Sequence, residues 1–260
     1  NLQNAYSLAV SAYLAYNDQE NIRKKVTGEW GFNDFRFFET DDDTQVFVMA
    51  NDNMVVVVFR GSESKIEDWR KNFTFPLVEG PFGGKVHKGF YNGVKKAWED
   101  LKIAIKDFKG SGQKSLWFTG HSLGAALATL AVAKLRTDDQ PVDGLYTFGQ
   151  PRTGDRTFAQ NFNSDFKPHV FRFVNNNDIV TRIPPRALQF SHLGTFKYFT
   201  EKGTLVNDIG WWNRFLDRLN GRVESIFKAG GKEYTDGIVD HRMDNYIALI
   251  NKKKKKKKKG

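Results

Sequence analysis

Apolar positions set the order of elements along the chain. Leu2, Tyr6, Ala9, Val10 and Tyr13 recur at helical spacing and predict a helix over Leu2–Tyr16, ended by Asn17-Asp18. The period then shortens. Phe35–Phe38, Gln45–Met49 and Met54–Phe59 are strand-length pieces between Asp and Asn turns, and the last, apolar on both faces, predicts a central strand. A short helical stripe follows at Ile66, Trp69 and Phe73, then a longer amphipathic helix over Phe90–Phe108. Beyond Gly110-Ser111-Gly112 the pattern predicts strand Ser115–Thr119, helix Leu123–Leu135, strand Gly144–Phe148, a short helix near Asp155–Asn163 and strand His169–Val174. Strands alternating with helices predict an α/β fold, a mainly parallel central sheet covered on both faces. Gly194–Val206 reads as a late strand pair, and Trp212, Leu216, Leu219, Val223 and Ile226 as a helical stripe interrupted at Asn220-Gly221. Asp240–Ile250, with Met243, Tyr246, Ile247 and Ile250, reads as a terminal helix. With no linker and no internal repeat, residues 1–251 are expected to form a single α/β domain.

Charge changes the picture only at one end. Of 260 residues, 40 are Lys or Arg and 30 are Asp or Glu, a formal net charge of +10. Eight of the lysines form the run Lys252–Lys259, and setting it aside leaves 32 basic against 30 acidic residues, or +2. A near-neutral body gives no support to a nucleic-acid partner. Residues 252–260 read as a disordered poly-Lys tail, because like charges repel and bury nothing, and most simply as an added solubility or immobilisation sequence. The other reading is a basic arm for anionic surfaces. The longest apolar run, Met54–Phe59, has six residues, too few to span a bilayer. Zero cysteines exclude disulfides, thiolate zinc sites and a Cys nucleophile, and 37 aromatic residues, 23 of them Phe, supply ample core.

The strongest chemical signal is Gly120-His121-Ser122-Leu123-Gly124, which follows an apolar strand and opens a helix. In that setting the serine sits on a sharp turn whose neighbours approach backbone too closely for a Cβ, and helix amides stand near its hydroxyl. The plainer reading is a Gly-rich turn with a capping Ser. A serine nucleophile needs a base and a group that orients it. Of five histidines, His121 adjoins the serine on a turn where successive side chains diverge, His87 and His192 lie beside short strands, and His169 starts a strand. His241, on the loop entering the last helix after the sheet is complete, suits the chain order serine, acid, base. For the acid, Asp178 follows a strand at a carboxyl edge, where function collects in open α/β sheets, in preference to Asp155, Asp236 and Asp240. A capping aspartate is its plainer reading.

Five blocks in order resemble the class 3 lipases, best known from filamentous fungi. They are Val58-Phe59-Arg60-Gly61-Ser62, Lys85-Val86-His87-Lys88-Gly89-Phe90, Thr119–Ala125, Thr147–Asp155, and Asn177-Asp178-Ile179-Val180 before Pro184-Pro185. The resemblance covers most of residues 40–250. It implies an α/β-hydrolase fold with a triad on Ser122, Asp178 and His241, an oxyanion hole from the Leu123 amide and the amide and hydroxyl of Ser62, and a short lid helix carrying Ile66, Trp69 and Phe73. An ordinary surface helix is the other reading of that stripe. The absence of cysteines departs from the fungal pattern, and Gly210–Lys232, with Trp211-Trp212, does not align.

The expectation is a monomeric serine carboxylester hydrolase, a triacylglycerol lipase acting through an acyl-enzyme on lipid esters at an oil-water interface. It needs no metal or organic cofactor and touches lipid surfaces transiently. A feruloyl esterase, a phospholipase A1 or a galactolipase would use the same fold, and a non-catalytic lipid-binding protein is the reading of another class. Secretion is expected, with a cytoplasmic place left open.

Overall fold

In the computed structural model, residues 1–62, 66, 68, 74–111, 113–207 and 232–257 are described. The chain opens with α1 (Leu2–Leu14) and a short α2 (Gln19–Arg23). A sheet of eight strands then forms, β1 (Asp34–Glu39), β2 (Gln45–Ala50), β3 (Met54–Phe59), β6 (Ser115–His121), β7 (Gly144–Phe148), β9 (Val170–Asn175), β11 (Thr195–Phe199) and β12 (Leu205–Asn207), in that spatial order. The pairs from β3 through β11 are parallel, and β1-β2, β2-β3 and β11-β12 are antiparallel. The mainly parallel sheet expected from the alternation of strands and helices is present.

β3 is central because it is apolar on both faces. Val55, Val57 and Phe59 join one core with Leu116, Phe118 and the apolar sides of α3 (Lys88–Lys109) and α4 (Leu123–Thr137). Val56 and Val58 point the other way, into a second core with Phe148, Phe173, α1 and the final helix. A strand buried on both faces cannot alternate polar and apolar residues, and this one does not.

A second sheet of four short strands was not foreseen: β4 (Leu77–Glu79), β5 (Lys85–His87), β8 (Gly154–Asp155) and β10 (Phe190–Ser191), in the order β10-β8-β5-β4. Strands of two or three residues are too short to display a period. α5 (Arg156–Phe166) follows β8 and is capped by Asp155, whose carboxylate accepts from the Phe158 amide at 2.8 Å.

The C-terminal end differs from expectation in two ways. The terminal helix is two helices, α6 (Lys232–His241) and α7 (Met243–Lys257). The Lys run expected to be disordered continues α7 as far as Lys257. Lysine is a good helix former, cations are favoured at a helix C-terminus, and the Lys254 ammonium lies 3.9 Å from the centre of the Tyr6 ring on α1. These terms oppose the repulsion within the run. Trp69 and Phe73 of the expected lid, and the stripe from Trp212 to Ile226, lie outside the described residues. Among the described residues, no helix is long and apolar enough to cross a membrane.

Candidate active site

Ser122 stands alone between β6 and α4, with φ 56° and ψ −128°. A Cβ on Gly120 would lie 2.4 Å from the Gly124 carbonyl, and one on Gly124 would lie 2.3 Å from the Phe59 carbonyl oxygen. Both positions therefore accept only glycine, and the turn is forced. The Ser122 amide donates to the Phe148 carbonyl at 3.0 Å, which fixes the turn to β7. Ser122 is 1% exposed and its Oγ has no hydrogen-bond partner.

Asp178 follows the carboxyl end of β9 and is fully buried. Its backbone closes a turn through Asp178 N–H to the Asn175 carbonyl at 2.8 Å. Its carboxylate accepts from Val180 N–H at 3.0 Å, Tyr246 O–H at 2.6 Å and His241 Nδ1 at 2.9 Å. Burial alone would raise this carboxyl, but His241 and the Tyr246 hydroxyl outweigh it and hold Asp178 below the usual carboxylate value.

His241 ends α6 rather than lying on a loop. Because a carboxylate can only accept, Nδ1 carries the proton and Nε2 presents its lone pair. That Nε2 is buried and unpartnered. Ser122 Oγ and His241 Nε2 thus do not bond each other, yet both residues border one cavity of about 580 Å³, with Tyr13, Tyr16, Ser62 and Ile66. Such contacts commonly tighten only when substrate is bound. Asp240 points away, as its place beside His241 required. Its carboxylate accepts from Asn177 N–H at 3.1 Å and Asn176 Nδ2 at 3.0 Å, which ties α6 to the loop bearing Asp178. Gly149 has φ 60°, and a Cβ there would stand 2.7 Å from the His241 ring.

The structure therefore brings Ser122, Asp178, His241, Ser62 and Ile66 together, and places the Leu123 amide at the head of α4. Three features were missed. Tyr246 read as one apolar position of the last helix, although a fully buried tyrosine needs a partner for its hydroxyl. His121 was set aside as diverging from Ser122. Its ring stacks on that of His241, with centroids 4.4 Å apart. Tyr16, at the end of the first helical segment, donates to it. Burial pushes His121 down to about 3 and His87 down to about 4. His87 instead caps α3, its Nδ1 accepting from Phe90 N–H at 3.2 Å.

A glycine-guarded serine turn between a parallel strand and a helix, with an acid and a histidine after later strands, defines the α/β-hydrolase fold. The profile of the family described as Lipase (class 3) matches residues 56–188, and the chain belongs to that family. His241 lies beyond the matched segment. A lipase of Rhizomucor miehei is 38% identical over 168 residues, covering 61% of this chain and 46% of that protein. Secreted mono- and diacylglycerol lipase 1 of Fusarium solani is 35% identical over 166 residues, covering 62% and 49%. The solved structure of Rhizomucor miehei triacylglyceride lipase superposes with a TM-score of 0.64 at 30% identity, covering 79% of this chain and 82% of that one. The chain spans about half the length of the curated relatives it matches.

Proposed function

We propose that the chain is a serine carboxylester hydrolase that cleaves fatty-acyl glycerol esters through an acyl-enzyme. The observation that carries this reading is a histidine whose Nδ1 is held by a buried carboxylate while its free Nε2 shares a cavity with a strained, unpartnered serine hydroxyl. As Ser122 Oγ attacks the ester carbonyl carbon, His241 Nε2 takes its proton and the carbonyl π pair moves to oxygen. The Leu123 amide, with the amide and hydroxyl of Ser62, donates to that oxyanion. When the pair returns, the bond to the alcohol breaks and His241 protonates the leaving oxygen. Water then repeats the sequence and releases the fatty acid. Asp178 holds the ring in one tautomer and offsets its positive charge.

The names borne by the relatives support glycerol esters over other esters. Ile66, 5% exposed and bordering the cavity, supports a lid over the site that opens at a lipid surface. The reading further takes the protein to act as a secreted monomer, without metal or organic cofactor.

A fluorophosphonate probe with peptide mapping tests the chemistry, and the expected adduct is stoichiometric and confined to Ser122. An adduct elsewhere, or ester hydrolysis unchanged in Ser122→Ala, overturns it. Rates on triacylglycerol emulsions, phospholipids, galactolipids and feruloyl esters test the substrate. A preference for any but the first replaces the glyceride assignment and leaves the triad standing. Ser62→Ala lowers kcat about 10²- to 10³-fold if its donors serve the oxyanion.

A further inference from the structure

We propose that His121 and Tyr16 are positioning residues for His241, a neutral ring and the hydroxyl that orients it, together holding the backbone and the ring face of the base. The inference rests on the reading of Ser122 and His241 given above.

The tautomer follows from the partners. His121 Nε2 lies 2.7 Å from the His241 carbonyl oxygen, which can only accept, so Nε2 carries the proton. Nδ1 is then the acceptor, and the Tyr16 hydroxyl, at 2.7 Å, donates to it. Both ring nitrogens are occupied as a neutral imidazole. A buried site, with His121 5% exposed, opposes any charged alternative.

The geometry complements the grip of Asp178. Asp178 holds the Nδ1 edge of His241, which resists motion within the ring plane. His121 lies nearly parallel to the His241 ring, at an interplanar angle of 29°, and so limits tilting toward its face. Its bond to the carbonyl fixes the main chain from which the ring hangs. His121 is itself held edge-on by Tyr16 and Tyr246, with ring centroids 5.8 and 6.2 Å away. Tyr16 has a second neighbour: its hydroxyl would lie 2.1 Å from a Cβ on Gly61. One hydroxyl therefore lies against both the support of the base and Gly61, in the segment after β3 that leads into Ser62.

The test compares Tyr16→Phe, His121→Leu and His121→Gln on a soluble ester, beside fluorophosphonate labelling and thermal unfolding. His121→Leu fills the space without a donor, and kcat is expected to fall about 10²-fold with KM within about twofold, the scale of a slightly misplaced base. His121→Gln returns an N–H toward the His241 carbonyl and recovers about tenfold of that loss. Tyr16→Phe loses several-fold in kcat. The acid limb of the kcat/KM profile keeps its position in His121→Gln, because the replaced ring does not titrate there. Labelling stays on Ser122 in all three variants but slows in proportion to kcat. Unchanged kcat in His121→Leu and Tyr16→Phe overturns the proposal, as does a shifted acid limb, which would make His121 an acid or base itself. Equal loss in Leu and Gln variants, in step with melting temperature, also overturns it. Labelling away from Ser122 in the parent protein strikes instead at the function reading.

Discussion

Removing the Ser122 side chain should make the protein more stable while abolishing ester hydrolysis. Two costs are concentrated at this residue. Its hydroxyl is buried with no hydrogen bond from another protein group, a condition that typically costs about 1–3 kcal/mol. Its backbone, at φ 56° and ψ −128°, lies where side chains bearing a Cβ are strained by about 1–3 kcal/mol. Ser122→Ala removes the first cost and keeps the second. Ser122→Gly removes both, less about 0.5–1 kcal/mol for the freedom glycine has in the unfolded chain. The expected order of stability is Gly above Ala above Ser, in steps of about 1 kcal/mol, or about 2–4 °C each in a chain of this size. Reversible thermal unfolding followed by circular dichroism, with urea unfolding as a second measure, reads the order directly. If Ser122→Ala melts no higher than the parent, the hydroxyl carries no burial cost. If Ser122→Gly melts no higher than Ser122→Ala, the turn is not strained and the case for a forced elbow fails.

Tyr246→Phe deletes the donor 2.6 Å from the Asp178 carboxylate and leaves the Asn175 amide unpaired, so urea unfolding should show a loss of about 1.5–3 kcal/mol. Acid should weaken the fold well before the carboxylates titrate. His121 and His87, held near 3 and 4 by burial, bind protons only when unfolded across the window below 6.5, so stability is full above that value and falls as pH drops toward the folded values. Between pH 8 and pH 5 each histidine contributes a loss of about 2 kcal/mol, and His87→Asn, which keeps a capping acceptor, should flatten the urea midpoint against pH. Gly149→Ala forces a Cβ to 2.7 Å from the His241 ring, and kcat on a soluble ester should fall by about 10²-fold or more.

Much of the sheet was legible because burial writes itself into composition. Met54–Phe59 has no polar position, and it is the strand with a core on each face. Gly120 and Gly124 marked the serine turn because backbone contact leaves no room for another residue. The four-stranded sheet was illegible because its pairing depends on β8 meeting β5, far apart in sequence, through a single register pair, Val86 with Gly154. Tyr246 and His121 show a different limit. Each was assigned the environment of its own element, apolar stripe or diverging turn, whereas its partner lies on another part of the chain. The Lys run was judged by charge alone, and the helix it extends was already nucleated by Met243, Tyr246 and Ile250, all buried.

The stretch from Asp240 to Tyr246 is bonded to two strand ends at once. Through Asp240 and Tyr246 it grips the last residue of β9 and the turn after it, and through the His241 carbonyl it is held by the last residue of β6. Opening the junction of α6 and α7 therefore breaks the contacts of Asp178 and His121 together. Amide protons across residues 240–246 should exchange only through global unfolding, and on heating, loss of ester hydrolysis should coincide with loss of the sheet instead of preceding it. In this fold the most delicate geometry is stored in a cooperative unit, not in a fraying end.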